Sequence, residues 1–193
     1  MTYISRFILW LMGWKISGSI PADVKRCVII AAPHTSNWDF FIGRLAYFQL
    51  HVPVKFLIKK EVFIWPFGSI LKSIGGIAVD RGRKNNLVED VAKLFTDYEV
   101  LNVIITPEGT RRRVDHWKKG FYYIALKAGV PLVLGFVDYG NKTTGFGDVF
   151  YPTGNLKEDM AFIEEFYMTK TAKYPAMFNL SPENLKMRSQ QPS

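Results

Sequence analysis

The residues with the clearest capacity for chemistry are His34 and Asp39, five positions apart in Ala31-Ala32-Pro33-His34-Thr35-Ser36-Asn37-Trp38-Asp39. A carboxylate beside a histidine keeps one ring nitrogen protonated and leaves the other free to take a proton from a hydroxyl. Residues five apart do not share a face of a regular helix. The pair therefore meets only if His34 precedes a helix and Asp39 lies in its early turns. Pro33 fits that arrangement, because it fixes its own backbone and disfavours helix in the residue before it. Thr35, Ser36 or Asn37 can then cap the helix start. The alternative is a structural histidine next to an aspartate at a helix start, where acids are common on electrostatic grounds.

A second cluster, Glu108-Gly109-Thr110-Arg111, combines a sharp backbone turn with a carboxylate, a hydroxyl and a guanidinium. Gly109 lets the backbone approach a ligand closely. Arg111, together with Arg81, can grip a phosphate in bidentate fashion. The alternative is a structural turn in which Glu108 pairs with an arginine and the guanidinium groups are solvated. Arg112 and Arg113 read as surface, as do His51 in a turn and His116 among arginines and lysines.

These residues need elements to hold them. Cys27–Ala32 is an apolar run that predicts a buried strand, followed by a helix to about Leu50. Val54–Ile58 is a second strand, and Pro66 can open a short helix to Ser73 that Gly75-Gly76 closes. Ile77–Val79 predicts a short strand ending in Asp80-Arg81, with a basic loop at 82–85. Asn86–Tyr98 reads as a helix, Val100–Thr106 as a strand and Lys119–Ala128 as a helix. Val130–Val137 is a further buried strand, 138–147 reads as turns and Val149–Tyr151 as a last strand. Leu156 to about Lys173 is helical. Strands alternating with helices predict an α/β class, a single domain with a largely parallel or mixed sheet flanked by helices. Functional loops in such sheets lie off the carboxyl ends of strands. His34, Arg81 and Glu108–Arg111 each follow a predicted strand directly, so they should converge on one edge.

The 193 residues suit one domain, and an apolar fraction of 48% supplies a core. The net charge of +8 and pI near 9.5 point to an acidic partner: anionic lipid, nucleic acid or a phosphorylated small molecule. The single cysteine, Cys27, rules out an intrachain disulfide and reads as core. One cysteine and three histidines leave no closed structural zinc site, and no metal is expected. A Gly-rich phosphate loop, a dinucleotide fingerprint and a nucleophile-elbow serine are all absent from the sequence. Residues 1–17 stand apart: Phe7–Trp14 is apolar, carries Trp10 and Trp14, and is flanked by Arg6 and Lys15. That pattern predicts a helix lying in a membrane interface, and it is too short for a span. A terminal helix packed on the protein's own core is the alternative. The expected organisation is an interfacial helix over 1–17, the domain over 18–175 and a poorly ordered tail over 176–193.

Taken in order, the motifs resemble the four blocks of the glycerolipid acyltransferase family, which includes the lysophosphatidate (1-acylglycerol-3-phosphate) acyltransferases. His34–Asp39 resembles the first block. Lys60-Glu61 through Pro66 and Gly68, then Gly76–Arg81, resembles the second. Pro107–Arg111 resembles the third, and Val130–Val133 the fourth. Two positions depart: Pro33 stands where the family usually has asparagine, and Thr106 where an apolar or aromatic residue usually precedes the proline. The N-terminal region is also shorter than a large helical membrane anchor.

The resemblance implies a glycerol-phosphate acyltransferase-like fold and transfer of a fatty acyl group from a thioester to a hydroxyl of a lysophospholipid such as 1-acylglycerol-3-phosphate. The thioester, acyl-CoA or acyl carrier protein, would be a co-substrate, with no cofactor and no metal. It makes His34 the general base, oriented by Asp39. It makes Lys60, Arg81, Glu108, Gly109, Thr110 and Arg111 substrate-binding, with backbone N–H groups near Gly109 facing the oxyanion. It implies a peripheral enzyme on the cytoplasmic side of a membrane, with a lipid surface and no nucleic acid as partner. Two rivals stand beside it: acyl transfer to a lyso-lipid or other hydroxyl compound without phosphate, and a non-enzymatic module that binds anionic lipid or nucleic acid.

Overall fold

The computed structural model describes residues 2–65, 67–80 and 87–180. Its elements are α1 (Thr2–Leu11), β1 (Lys15–Ser17), β2 (Arg26–Ala32), α2 (Asn37–Gln49), β3 (Val54–Lys59), α3 (Phe67–Ser73), β4 (Gly76–Val79), α4 (Leu87–Asp97), β5 (Leu101–Ile105), α5 (Gly120–Ala128), β6 (Leu132–Asp138), β7 (Thr143–Phe150) and α6 (Leu156–Met168), with single 3₁₀ turns at Lys60–Val62 and Pro175–Met177. The strands form one sheet in the order β1-β7-β6-β2-β5-β3-β4. All neighbours are parallel except the β6–β7 hairpin, so the sheet is mixed, as the α/β reading expects.

The unbroken apolar run of β2 follows from its place in the middle of that sheet, paired on both edges and covered on both faces. Successive side chains of a strand point to opposite faces. Val28 and Ile30 accordingly join one core with Phe95 of α4, Phe121 and Ile124 of α5, and Ile163 and Tyr167 of α6. Cys27 and Ile29 join a second core with Tyr47 of α2, Ile104, Val133 and Phe146. Beside that second core, Leu9 and Trp14 pack with Ile42, Leu45 and Val137, which fastens α1 to α2 and the sheet. Helices α4, α5 and α6 thus cover one face, and α1 and α2 the other. The fold is an α/β domain with its sheet between two helical layers.

Several boundaries differ from the sequence reading. The helix expected over 1–17 ends at Leu11, and Lys15–Ser17 is instead a strand paired with β7. The region 138–147, read as turns, contains most of β7. Its glycines answer to close packing: a Cβ on Gly145 would fall 2.0 Å from the Ser17 carbonyl oxygen, and one on Gly147 would fall 2.3 Å from the Phe166 ring. Helix α6 stops at Met168 rather than near Lys173. The tail expected from 176 is ordered as far as Leu180, because Phe178 and Leu180 are buried in the first core and Trp117 donates its indole N–H to the Asn179 carbonyl at 3.0 Å. Arg81, the basic loop at 82–85 and residues 181–193 lie outside the described residues.

Candidate active site

The carboxyl ends of β2, β3, β5 and β6 open on a cavity of about 600 Å³. This lies within the ordinary range for ligand pockets. Its polar rim holds His34, Asp39, Gly109 and Lys118, and the walls below are almost wholly apolar, with Phe40, Phe56, Ile105 and Phe121 among them. The lining wraps the end of the sheet. Ala31, Ile104 and Phe56 face the α2 side, while Ala32, Ile105 and Leu57 face the α5 side.

The His34–Asp39 pair forms as its spacing requires. Strand β2 ends at Ala32, the Ala32–Pro33 bond is cis, and His34 sits before α2. Ser36 caps that helix: its Oγ accepts the Trp38 N–H at 3.2 Å, and Asp39 reaches back to complete a capping box. Asp39 Oδ2 accepts the N–H groups of Thr35 and Ser36, each at 2.7 Å. The same oxygen lies 3.5 Å from Nδ1 of His34. Asp39 Oδ1 accepts the Tyr139 hydroxyl at 2.8 Å. One carboxylate therefore both starts the helix and faces the imidazole. The helix-start role of Asp39 is thus present, and its 3.5 Å approach to the imidazole is the geometry an orienting role needs.

Glu108 lies directly behind His34. It is only 2% exposed, and its Oε1 accepts the backbone N–H of His34 at 3.0 Å. Oε2 is buried without a hydrogen-bond partner among the described residues. Burial pushes the carboxyl up to about 7, against the opposing pull of the His34 N–H. Glu108 therefore braces the loop rather than pairing with an arginine.

The other residues singled out from the sequence are spread around this centre. Gly109 is at φ 64°, where a side chain is strained, and its rim position leaves room for Lys118, whose Nζ would lie 2.8 Å from a Cβ placed there. The Gly109 N–H is bonded to the Thr106 carbonyl at 3.1 Å, so this particular group is not free to face an oxyanion. Thr110 is exposed, and its Oγ1 accepts the Arg112 N–H at 3.3 Å. Arg111 is exposed and does not line the cavity, and its Nη1 is bonded to Asn37 Oδ1. Lys60 is exposed in the 3₁₀ turn after β3 and does not line the cavity. Arg81 falls outside the described residues.

Three participants escaped the sequence reading. Tyr139, which holds Asp39, follows the end of β6, a place the rule that flagged His34 also covers, but no motif marked it. Lys118 reaches the rim because its N–H is bonded to the Pro107 carbonyl at 2.8 Å, a closure no local pattern marks. Lys173 lies 5.1 Å from the Trp38 ring and 5.8 Å from that of Tyr139, beside a Tyr174 N–H that donates to Thr35 Oγ1 at 3.2 Å.

A family model described as Acyltransferase matches residues 14–133. The 1-acyl-sn-glycerol-3-phosphate acyltransferase of Limnanthes alba is 29% identical over 138 residues, covering 67% of this chain and 47% of the relative. The enzyme of that name from Cocos nucifera is 28% identical over 136 residues, covering 66% and 42%. The chain thus spans about half the length of the curated relatives it matches. The crystal structure of the 1-acyl-sn-glycerophosphate (LPA) acyltransferase PlsC from Thermotoga maritima aligns with all of this chain and 79% of that one, at a TM-score of 0.60 and 16% identity, a likeness of fold. The matched residues make up more than half of the sequence and contain both β2–α2 and the Glu108 loop, and the chain belongs to the acyltransferase family.

Proposed function

We propose that this protein transfers a fatty acyl group from a thioester, acyl-CoA or acyl carrier protein, to a hydroxyl of a lysophospholipid such as 1-acylglycerol-3-phosphate. The observation that carries the proposal is the His34–Asp39 pair, 3.5 Å apart at the rim of an apolar cavity. Asp39 favours the tautomer with its proton on Nδ1, which leaves Nε2 basic toward the substrate. Nε2 takes the hydroxyl proton as the oxygen attacks the thioester carbonyl carbon. The C–S bond of the tetrahedral adduct then breaks, and the departing sulfur receives the proton from the imidazolium. No enzyme nucleophile takes part, which agrees with the missing serine and cysteine motifs. Lys118 is the cation best sited for the developing oxyanion. The apolar walls take acyl chain, and Glu108 keeps the His34 backbone in place.

The same reading makes the enzyme peripheral to a membrane, on the cytoplasmic side. None of the helices among the described residues is long and apolar enough to cross one. On α1, Tyr3, Ile4, Phe7, Trp10 and Leu11 are nonetheless exposed, Trp10 by 71%. An apolar outer face next to basic residues suits the headgroup boundary of anionic lipid. An acceptor without phosphate is favoured by one observation, the bond from Arg111 to Asn37 in place of a free guanidinium.

The test is product identification by mass spectrometry after incubation with acyl-CoA and either 1-acylglycerol-3-phosphate or monoacylglycerol. Phosphatidate formed from the phosphate acceptor supports the proposal. Diacylglycerol as the sole product supports the second acceptor class, and no acylated product from either acceptor, with acyl-CoA or acyl carrier protein as donor, overturns both.

A further inference from the structure

Beyond the residues that the family model matches, the segment after α6 folds back onto the loop that carries His34. The Tyr139 N–H donates to the Thr171 carbonyl at 2.9 Å, and the Thr171 N–H donates to Asp138 Oδ1 at 3.0 Å. Further along, the Tyr174 N–H donates to Thr35 Oγ1 at 3.2 Å. Lys173 stands between these anchors, half-buried. Its Nζ lies 5.1 Å from the centre of the Trp38 ring, 5.8 Å from that of Tyr139 and 5.9 Å from that of Tyr174. The rings favour a positive charge there, but they give the three N–H donors of an ammonium no oxygen partner. Among the described residues, the Lys173 ammonium makes no hydrogen bond and no ion pair. The segment thus holds a cation beside the loop without neutralising it.

A second cation reaches the same place from the opposite side. Strand β2, which leads into the loop, lies between β6 and β5 in the sheet. Arg111 comes from the β5 side and bonds Asn37, whereas Lys173 comes from the β6 side and stands over Trp38. Asn37 and Trp38 open α2, so the loop before that helix is bracketed by two cations. Neither lines the apolar cavity. In 1-acylglycerol-3-phosphate, the phosphate is carried on the carbon next to the one that bears the free hydroxyl. With that hydroxyl at His34 and the acyl chain in the cavity, the phosphate belongs outside the apolar walls, beside the loop. A phosphate monoester carries about −1.5 to −2 charges at pH 7. An ammonium on a flexible stem is a compact point charge whose rotatable donors adapt to such a group.

We infer that Lys173 binds the phosphate of the acceptor, on the side of the loop opposite Arg111, and selects acceptors that carry one. The inference rests on the acyl-transfer reading for the acceptor's role, and on the position of the cation for its binding. It bears on the choice between the two acceptor classes. Asn37 engages Arg111, whereas the Lys173 charge has no such partner among the described residues. Acyl-CoA also carries phosphate groups, and the test separates the two sources.

The probes are 1-decanoylglycerol-3-phosphate and 1-decanoylglycerol, titrated by calorimetry into the full-length protein as wild type, Lys173→Met and Lys173→Arg. Methionine keeps an apolar stem over the rings and removes the charge. The expected result is a preference of wild type for the phosphate probe. Lys173→Met should weaken that probe by about 10–100-fold and leave 1-decanoylglycerol unchanged, and Lys173→Arg should restore most of the loss. In turnover, Lys173→Met should raise KM for the phosphate acceptor and not for acyl-CoA. Unchanged affinity of Lys173→Met for the phosphate probe overturns the inference. Equal loss of both probes with a lower melting temperature also overturns it, by making Lys173 a structural prop. A rise in KM confined to acyl-CoA overturns it too, by assigning Lys173 to the donor's phosphates. The binding assay needs no turnover: a Lys173-dependent phosphate preference in a protein that transfers no acyl group would leave the phosphate site standing and remove the proposed activity. Acyl transfer to the phosphate acceptor that is insensitive to Lys173→Met would do the reverse.

Discussion

Glu108 Oε1 accepts the backbone N–H of His34 at 3.0 Å. The two residues are 74 positions apart, one after β5 and the other after β2. These strands are parallel neighbours, so their carboxyl ends emerge side by side. The buried carboxyl thereby fixes the backbone of the residue that carries the imidazole. Asp39 fixes the ring from the other direction.

Glu108 makes stability depend on pH. Burial, the leading cause, raises its pKa from 4.5 to about 7. The folded protein then binds this proton more tightly than the unfolded chain. The contribution is complete below about pH 4.5 and is lost as pH rises through about 7. Its ceiling is about 3 kcal/mol, at about 1.4 kcal/mol per pH unit. Melting temperatures between pH 5 and 8 should fall more steeply for wild type than for Glu108→Gln, which keeps an acceptor for the His34 N–H. Parallel pH profiles would contradict this assignment.

Tyr139→Phe removes one of the hydrogen bonds to Asp39 and little else. We expect kcat to drop by several-fold to about tenfold with KM nearly unchanged, because a bond to a charged group is worth about 1.5–3 kcal/mol and only part of it bears on His34. A change confined to KM would place Tyr139 in substrate binding instead.

Capping and base orientation separate by substitution. Ser36→Ala removes the cap oxygen and should cost about 1 kcal/mol of stability while leaving most activity. Asp39→Asn should instead lower turnover by about 10²–10⁴-fold. Urea denaturation and kcat, measured on both variants, distinguish the roles. Equal activity losses would mean that Asp39 acts only through the helix start.

On α1, substitution is a cleaner test of membrane contact than deletion, because Leu9 and Trp14 belong to the core. Phe7→Ser with Trp10→Ser changes only the exposed side. Sedimentation with anionic vesicles should fall markedly, with activity on detergent-dispersed substrate retained. Undiminished sedimentation would assign membrane contact elsewhere.

The parts of this fold that are legible in sequence are those in which one strand or helix carries its own pattern. The apolar runs at Cys27–Ala32 and Leu132–Val137 and the Pro33–Asp39 junction are of that kind. What stayed hidden depends on partners far along the chain. Lys15–Ser17 is too short to read as a strand until β7 pairs with it. Gly145 and Gly147 look like turn residues until Ser17 and Phe166 approach them. Asp39 was visible, but the Tyr139 hydroxyl that holds it lies 100 residues away. The burial of Glu108 behind His34 likewise exists only once β2 and β5 lie side by side.

The most direct measurement is thiol release from acyl-CoA, with and without 1-acylglycerol-3-phosphate, for wild type and His34→Ala. Acceptor-dependent release should be clear in wild type and should fall by about 10²–10⁴-fold in the variant, with its fold intact by circular dichroism. Release that persists in His34→Ala at the wild-type rate would contradict the assignment of His34 as the base.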